Sequence, residues 1–169
     1  MKLRSGVITF LLPVSAVCLL ASTAAFPAGA TAVPGFNSCS AVTRAEAASA
    51  IGQSVTSGIL GTATVEGGLA CVFYGPDAVK PRDPNVAQGD TVRVVVVKGA
   101  DASKWYDAYK AKVPAQPISG YGDHAFYDGF ASLSVLKGDY YLRIAVSPAA
   151  APPSLRDEER LAKAILPKL

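Results

Sequence analysis

Four consecutive valines, Val94 to Val97, inside the stretch "DTVRVVVVKG" constrain this chain more than any other feature. β-Branched side chains are stiff at χ1 and fit a pleated strand. An apolar run without polar alternation is the mark of a strand buried on both faces. The stretch therefore reads as the central strand of a sheet.

Its surroundings supply the rest of that sheet as hairpins. Between Ile59 and Tyr74, "ILGTATV" and "LACVFY" flank Glu66, Gly67 and Gly68, a hairpin with a glycine turn. Further on, "ASLSVLK" and "YYLRIAV" meet through Gly138 and Asp139, two residues suited to a tight turn. Leu133, Val135, Leu142, Ile144 and Val146 mark the buried face of that pair. Between Gly75 and Gly89, a segment with three prolines and no periodicity reads as a surface loop, a natural place for variable function.

Three helices are written between these strands. In "VTRAEAASAIG", Thr43 and Glu46 have capping-box spacing, Gly52 suits a left-handed C-terminal residue, and Ala47, Ala48 and Ile51 form an apolar face. Asp101 or Ser103 can cap a second helix carrying Ala102, Trp105, Tyr109 and Val113, stopped by Pro114. Trp105 and Tyr109, four apart, share a face that reads as core. After a spacer from Pro148 to Pro153, Ser154 begins a last helix with Leu161, Ala162, Ile165 and Leu166 inward. Glu159 can pair with Lys163 there, and Pro167 ends the helix. The order helix, hairpin, strand, helix, hairpin, helix predicts an α+β domain, an antiparallel sheet of about five strands with three helices packed on it.

The first thirty residues carry a different message. Lys2 and Arg4 precede the largely apolar "GVITFLLPVSAVCLLA", and an Ala28-Gly29-Ala30 site follows, as in an export signal cleaved near Ala30. Retention as a membrane anchor is disfavoured by Pro13 and the Ser, Thr and Ala tail. Lipid attachment at Cys18 is disfavoured because Val17 precedes it and "LLA" would begin the mature chain. The expected organisation is a signal over residues 1–30 and one extracytoplasmic domain over 31–169. That domain would be secreted or envelope-associated, without a lipid anchor or a membrane span.

Loss of Lys2 and Arg4 takes the formal charge from +3 to +1, since residues 1–30 hold no other charge. A chain so near neutrality, with scattered cations, offers no footprint for nucleic acid or an anionic membrane surface. Setting Cys18 aside leaves Cys39 and Cys71, an even pair in an exported chain, which reads as a disulfide. Closing that loop is worth about 3.7 kcal/mol in the chain-entropy model.

The single histidine, His124, lies in "SGYGDHAFYDGF" between Ser119 and Phe130. A hydrolase would have to use it, with Asp123, Asp128 or a distant carboxylate orienting it. No nucleophile elbow accompanies it, and adjacent Asp123 points away in an extended segment. Glycosidase chemistry needs two carboxylates, and no pair stands out. Two distant cysteines and one histidine do not make a zinc set. Phosphate loops and dinucleotide fingerprints are missing from the sequence, so neither metal nor cofactor is expected. The segment reads first as a turn, in which Gly120 and Gly122 supply positive φ and Asp123 bonds the backbone. Should it bind, Tyr121, Asp123, His124, Tyr127 and Phe130 are the candidate contacts, for an envelope protein, peptide, glycan or lipid.

These landmarks have a parallel. Cys39 before "TRAEAASAIG", Cys71 followed by Val72 and Phe73, "GYGDHA" from Gly120 to Ala125, "LSVLKGDYYLRIAV" and "RLAKAIL" span nearly all of the mature chain. In that pattern the chain resembles the small exported proteins and lipoproteins of actinobacteria grouped as a domain of unknown function, related to sensor-type extracytoplasmic domains. The resemblance implies a non-catalytic binding or interaction module of the cell envelope, and it carries over no catalytic residues. Many members of that group are lipid-anchored, a point on which this chain departs.

Overall fold

The computed structural model of the chain describes residues 35–169. The export signal expected over residues 1–30, with Cys18 and the cleavage site, lies outside the described residues. The architecture is α+β: a seven-stranded antiparallel sheet with three α-helices and one disulfide. The strands are β1 (Ile59–Ala63), β2 (Gly68–Tyr74), β3 (Thr91–Lys98), β4 (Gln116–Ile118), β5 (His124–Tyr127), β6 (Ser132–Lys137) and β7 (Tyr140–Ser147). Their order across the sheet is β1-β2-β3-β7-β6-β5-β4. The helices are α1 (Arg44–Ile51), α2 (Ala102–Lys110) and α3 (Leu155–Ile165).

The valine strand lies inside the sheet, between β2 and β7, with Val92 and Val94 to Val97 all buried. Alternation sorts its side chains to two sides. Val92, Val94 and Val96 join Cys71, Phe73, Leu133, Val135, Leu142, Ile144 and Val146 beneath α1 and α3. Val95 and Val97 join Val72, Tyr74, Phe126 and Tyr141 beneath α2. Helices thus cover both faces, as a strand apolar on both sides requires.

The α1 capping box forms as its spacing predicts. Glu46 N–H donates to Thr43 Oγ1 at 3.2 Å, and Thr43 N–H donates to Glu46 Oε2 at 2.7 Å. Gly52 closes the helix at φ +76°. Cys39 and Cys71 are bonded, tying the turn before α1 to β2. Next to that bond Ser38 inserts its hydroxyl between two strands, donating to Leu69 O and accepting from Val96 N–H at 2.8 Å. Gly138 and Asp139 make the two-residue turn between β6 and β7, Gly138 at φ +56°.

Two expectations need correction. The sheet has seven strands instead of about five, because β4 lies in a segment with no predicted element and β5 in one read as a turn. β4 is three residues long and contains Pro117, whose missing N–H confines it to an edge. β5 alternates over only four residues between glycines, too short a run to register as a period. In α2 the inward stripe is Ala102, Tyr106 and Tyr109, while Trp105 is half-buried at its flank. Trp105 instead packs on Gly67 in the β1–β2 turn, where φ is +72° and a Cβ would collide with the indole.

The edges of the sheet are blunted in different ways. At β4 the proline does so, and at β1 the loop between β2 and β3 folds back. Pro84 sits against Gly61, and Asn85 Oδ1 accepts the outward Thr62 N–H at 2.6 Å.

Candidate functional site

Register places two arginines on the α2 face of the central strands. Across the sheet run two rows of neighbours: Val72, Arg93, Ala145 and Ser132 in one, Ala70, Val95, Arg143 and Ser134 in the next. Arg93 and Arg143 are therefore diagonal neighbours on adjacent strands. Two unpaired guanidinium groups so close would repel in a poorly hydrated interior, and a carboxylate separates them. Glu66, in the β1–β2 turn and 1% exposed, folds inward. Its Oε1 accepts from Arg93 Nη1 at 2.6 Å and from Arg143 Nη1 at 2.5 Å.

Arg143 is fixed on all sides. Nε donates to Ser132 Oγ at 3.0 Å, Nη2 donates to Tyr109 Oη at 2.6 Å, and the guanidinium carbon stands 3.9 Å from the centre of the Tyr109 ring. Tyr109 in turn donates to Asp128 Oδ2 at 2.7 Å. Asp128 also accepts from the Ser132 hydroxyl and from the N–H groups of Phe130, Ala131 and Ser132. Burial alone would raise the Asp128 carboxyl. The hydrogen bonds from Ser132, the Phe130 N–H and Tyr109 outweigh burial and hold it below the usual carboxylate range. Burial in contrast raises the Tyr109 hydroxyl.

Above this network the cover is incomplete. α2 shields one part of the face and the β2–β3 loop another, leaving a cleft of about 330 Å³ between them. Glu66, Arg93, Arg143 and Tyr109 line it with Thr64, Val65, Asn85, Ala87 and Ala145. A larger groove of about 430 Å³ runs past Phe36, Gly67, Lys98 and Trp105. Its charged residues, Lys98 and Asp101, are both exposed, so the groove lacks the buried, fixed charged groups that orient a ligand.

No family model, curated protein or solved structure matches this chain. The site therefore stands on its own geometry.

The candidate contacts of the histidine segment are spread out. Tyr121 is buried in the core beneath α3, with Lys163 Nζ 5.9 Å from its ring centre. Asp123 Oδ2 accepts from Gly138 N–H at 2.6 Å, pinning the segment to the β6–β7 turn. His124 is exposed at the start of β5, and among the described residues its side chain hydrogen-bonds to no carboxylate or serine. Tyr127 is half-buried on the opposite face from Phe126, and Phe130 is 68% exposed. None of the five lines the arginine cleft. The segment touches the network behind the cleft, where Asp128 accepts from Tyr109 and Phe126 stacks on the Tyr109 ring.

Sequence reasoning missed Glu66, Arg93, Arg143 and Tyr109 as a group. The signal was available: each arginine interrupts an otherwise apolar strand, and two such interruptions on paired strands require a shared counter-ion.

Proposed function

We propose that the mature chain is an exported, non-catalytic binding module of the cell envelope, akin to the actinobacterial family it resembles, and that its ligand occupies the arginine cleft. One observation carries this reading: two guanidinium groups from neighbouring central strands are locked on one buried carboxylate at the floor of an open cleft. Buried ion clusters of this kind stabilise less than apolar packing of the same volume. Convergent, pre-oriented polar groups in a concave site are what a ligand uses. The Cys39–Cys71 bond suits an oxidising compartment. The occupant on this reading is a small envelope ligand or an exposed segment of an envelope protein.

Thermal-shift screening of the oxidised exported protein against peptides, glycan fragments and lipid headgroups tests the proposal. The control is Ala87→Trp, which fills the cleft from an exposed loop position. A ligand that raises the melting temperature of the native protein and not of Ala87→Trp is the expected result. Equal shifts in both, or none across the panel, reject the cleft as the ligand site.

A further inference from the structure

We infer that the cleft takes a carboxylate borne on a small aliphatic group, either the free C-terminus of a peptide or a short free acid; this rests on the cleft being the ligand site. The lining residues with formal charge are Arg93, Arg143 and Glu66, two cations and one anion, leaving +1. Asp128, paired with Arg143 at 3.7 Å and met by five hydrogen-bond donors, balances the network as a whole, but it lies behind the cleft, so the excess cation belongs to the surface that a ligand meets. A single excess positive charge suits a monoanion, whereas a dianionic phosphate would set its second charge against Glu66.

Shape narrows the choice further. Guanidinium groups present paired, coplanar N–H donors that match a carboxylate. Both are held before any ligand arrives, Arg143 by the Tyr109 ring and three acceptors and Arg93 by Glu66, which lowers the ordering cost of binding. Glu66 takes the Nη1–Nη2 edge of Arg93, at 2.6 and 3.5 Å, and among the described residues no hydrogen bond uses Arg93 Nε, which leaves the Nε edge of the guanidinium for a ligand. The walls are small: Val65, Ala87 and Ala145 supply methyl groups, while Thr64 and Asn85 can meet an amide. The volume of about 330 Å³ accommodates the end of a molecule.

Calorimetric titration of the oxidised exported protein with N-acetyl-alanyl-alanine, with its C-terminal amide and with acetate tests the inference. Arg93→Lys keeps the charge but loses the fork, and Ala87→Trp closes the cleft. Circular dichroism checks that both variants are folded. The expected result is saturable binding of the free acid, at least about tenfold weaker binding of the amide and of the free acid to Arg93→Lys, and none to Ala87→Trp. Acetate binding as tightly as the dipeptide assigns the site to free short acids, and weaker acetate binding assigns it to peptide termini; both outcomes keep the carboxylate. Equal binding of acid and amide, with loss in Ala87→Trp, overturns the carboxylate and leaves the binding module standing. Failure of both peptides to bind, or binding unaffected by Ala87→Trp, overturns the inference; the cleft reading falls with it only if the wider ligand panel also fails.

Discussion

The two faces of one sheet solve different problems. Beneath α1 and α3 the packing is dry: alternating valines, leucines and isoleucines meet Ala47, Ala50, Ile51, Leu161, Ala162 and Ile165. Beneath α2 the same strands turn out two arginines, two serines and two tyrosines, and the cover has a gap. The first face repays burial through area alone. On the second, Glu66, the arginines, the serines and Asp128 each depend on a named partner, so single substitutions among them act through loss of pairing more than loss of volume.

The largest effect should follow removal of the shared anion. Glu66→Ala leaves Arg93 and Arg143 facing each other and is expected to cost about 3–5 kcal/mol, read from urea unfolding. Replacing all three residues together, Glu66→Leu with Arg93→Met and Arg143→Met, should restore or exceed native stability while ending ligand response. A triple variant as unstable as Glu66→Ala would show that the network is needed for folding and would break the contrast. On the dry face Ile144→Ala should cost about 2–5 kcal/mol, with no partial rescue from a nearby polar substitution.

Glu158 is the exception that sharpens the comparison, a carboxyl fully buried on the dry side. Its Oε1 accepts the Val146 N–H at 3.2 Å, taking over at β7 where the ladder to β6 has ended at Ala145, and its Oε2 has no partner among the described residues. Burial first, with Asp157 and Asp128 adding repulsion, pushes its pKa from 4.5 up to about 8. The folded chain therefore holds a proton that the unfolded chain releases. This group's contribution is full below pH about 4.5 and is lost as pH rises toward about 8, by at most about 1.4 kcal/mol per pH unit. Glu158→Gln should flatten that slope and stabilise the protein at pH 8, measured by unfolding across the interval. A slope unchanged in the variant would assign the pH dependence elsewhere. The smallest effect belongs to Thr43→Ala, about 1 kcal/mol through loss of the α1 cap, with the cleft untouched.

Legibility in the sequence followed the same division. The capping box, the Gly138–Asp139 turn, the buried central valines and the cysteine pair are local or compositional signals, and each formed as expected. The strand count fell short where elements were short, since Pro117 and the glycines around β5 hide a ladder that only neighbouring strands stabilise. The α2 stripe turned by one residue because Trp105 found a seat on Gly67 outside the main core. The cleft was illegible because it depends on register between β3 and β7, 50 residues apart at Arg93 and Arg143, and on Glu66 folding inward from a turn. His124 drew attention for its rarity, yet the charged residue of its segment that joins the arginine network is Asp128.

Asn85 has a role at the sheet edge and another in the cleft. Its side chain covers the outward Thr62 N–H, and the same residue forms part of the cleft wall. On the proposed reading, a ligand seated there would hold the loop down over β1, so occupancy would guard that flank against an added extended chain. Colloidal behaviour becomes a reporter of binding: Asn85→Ala should promote self-association of the empty protein, and a true ligand should suppress it, visible by light scattering without any label.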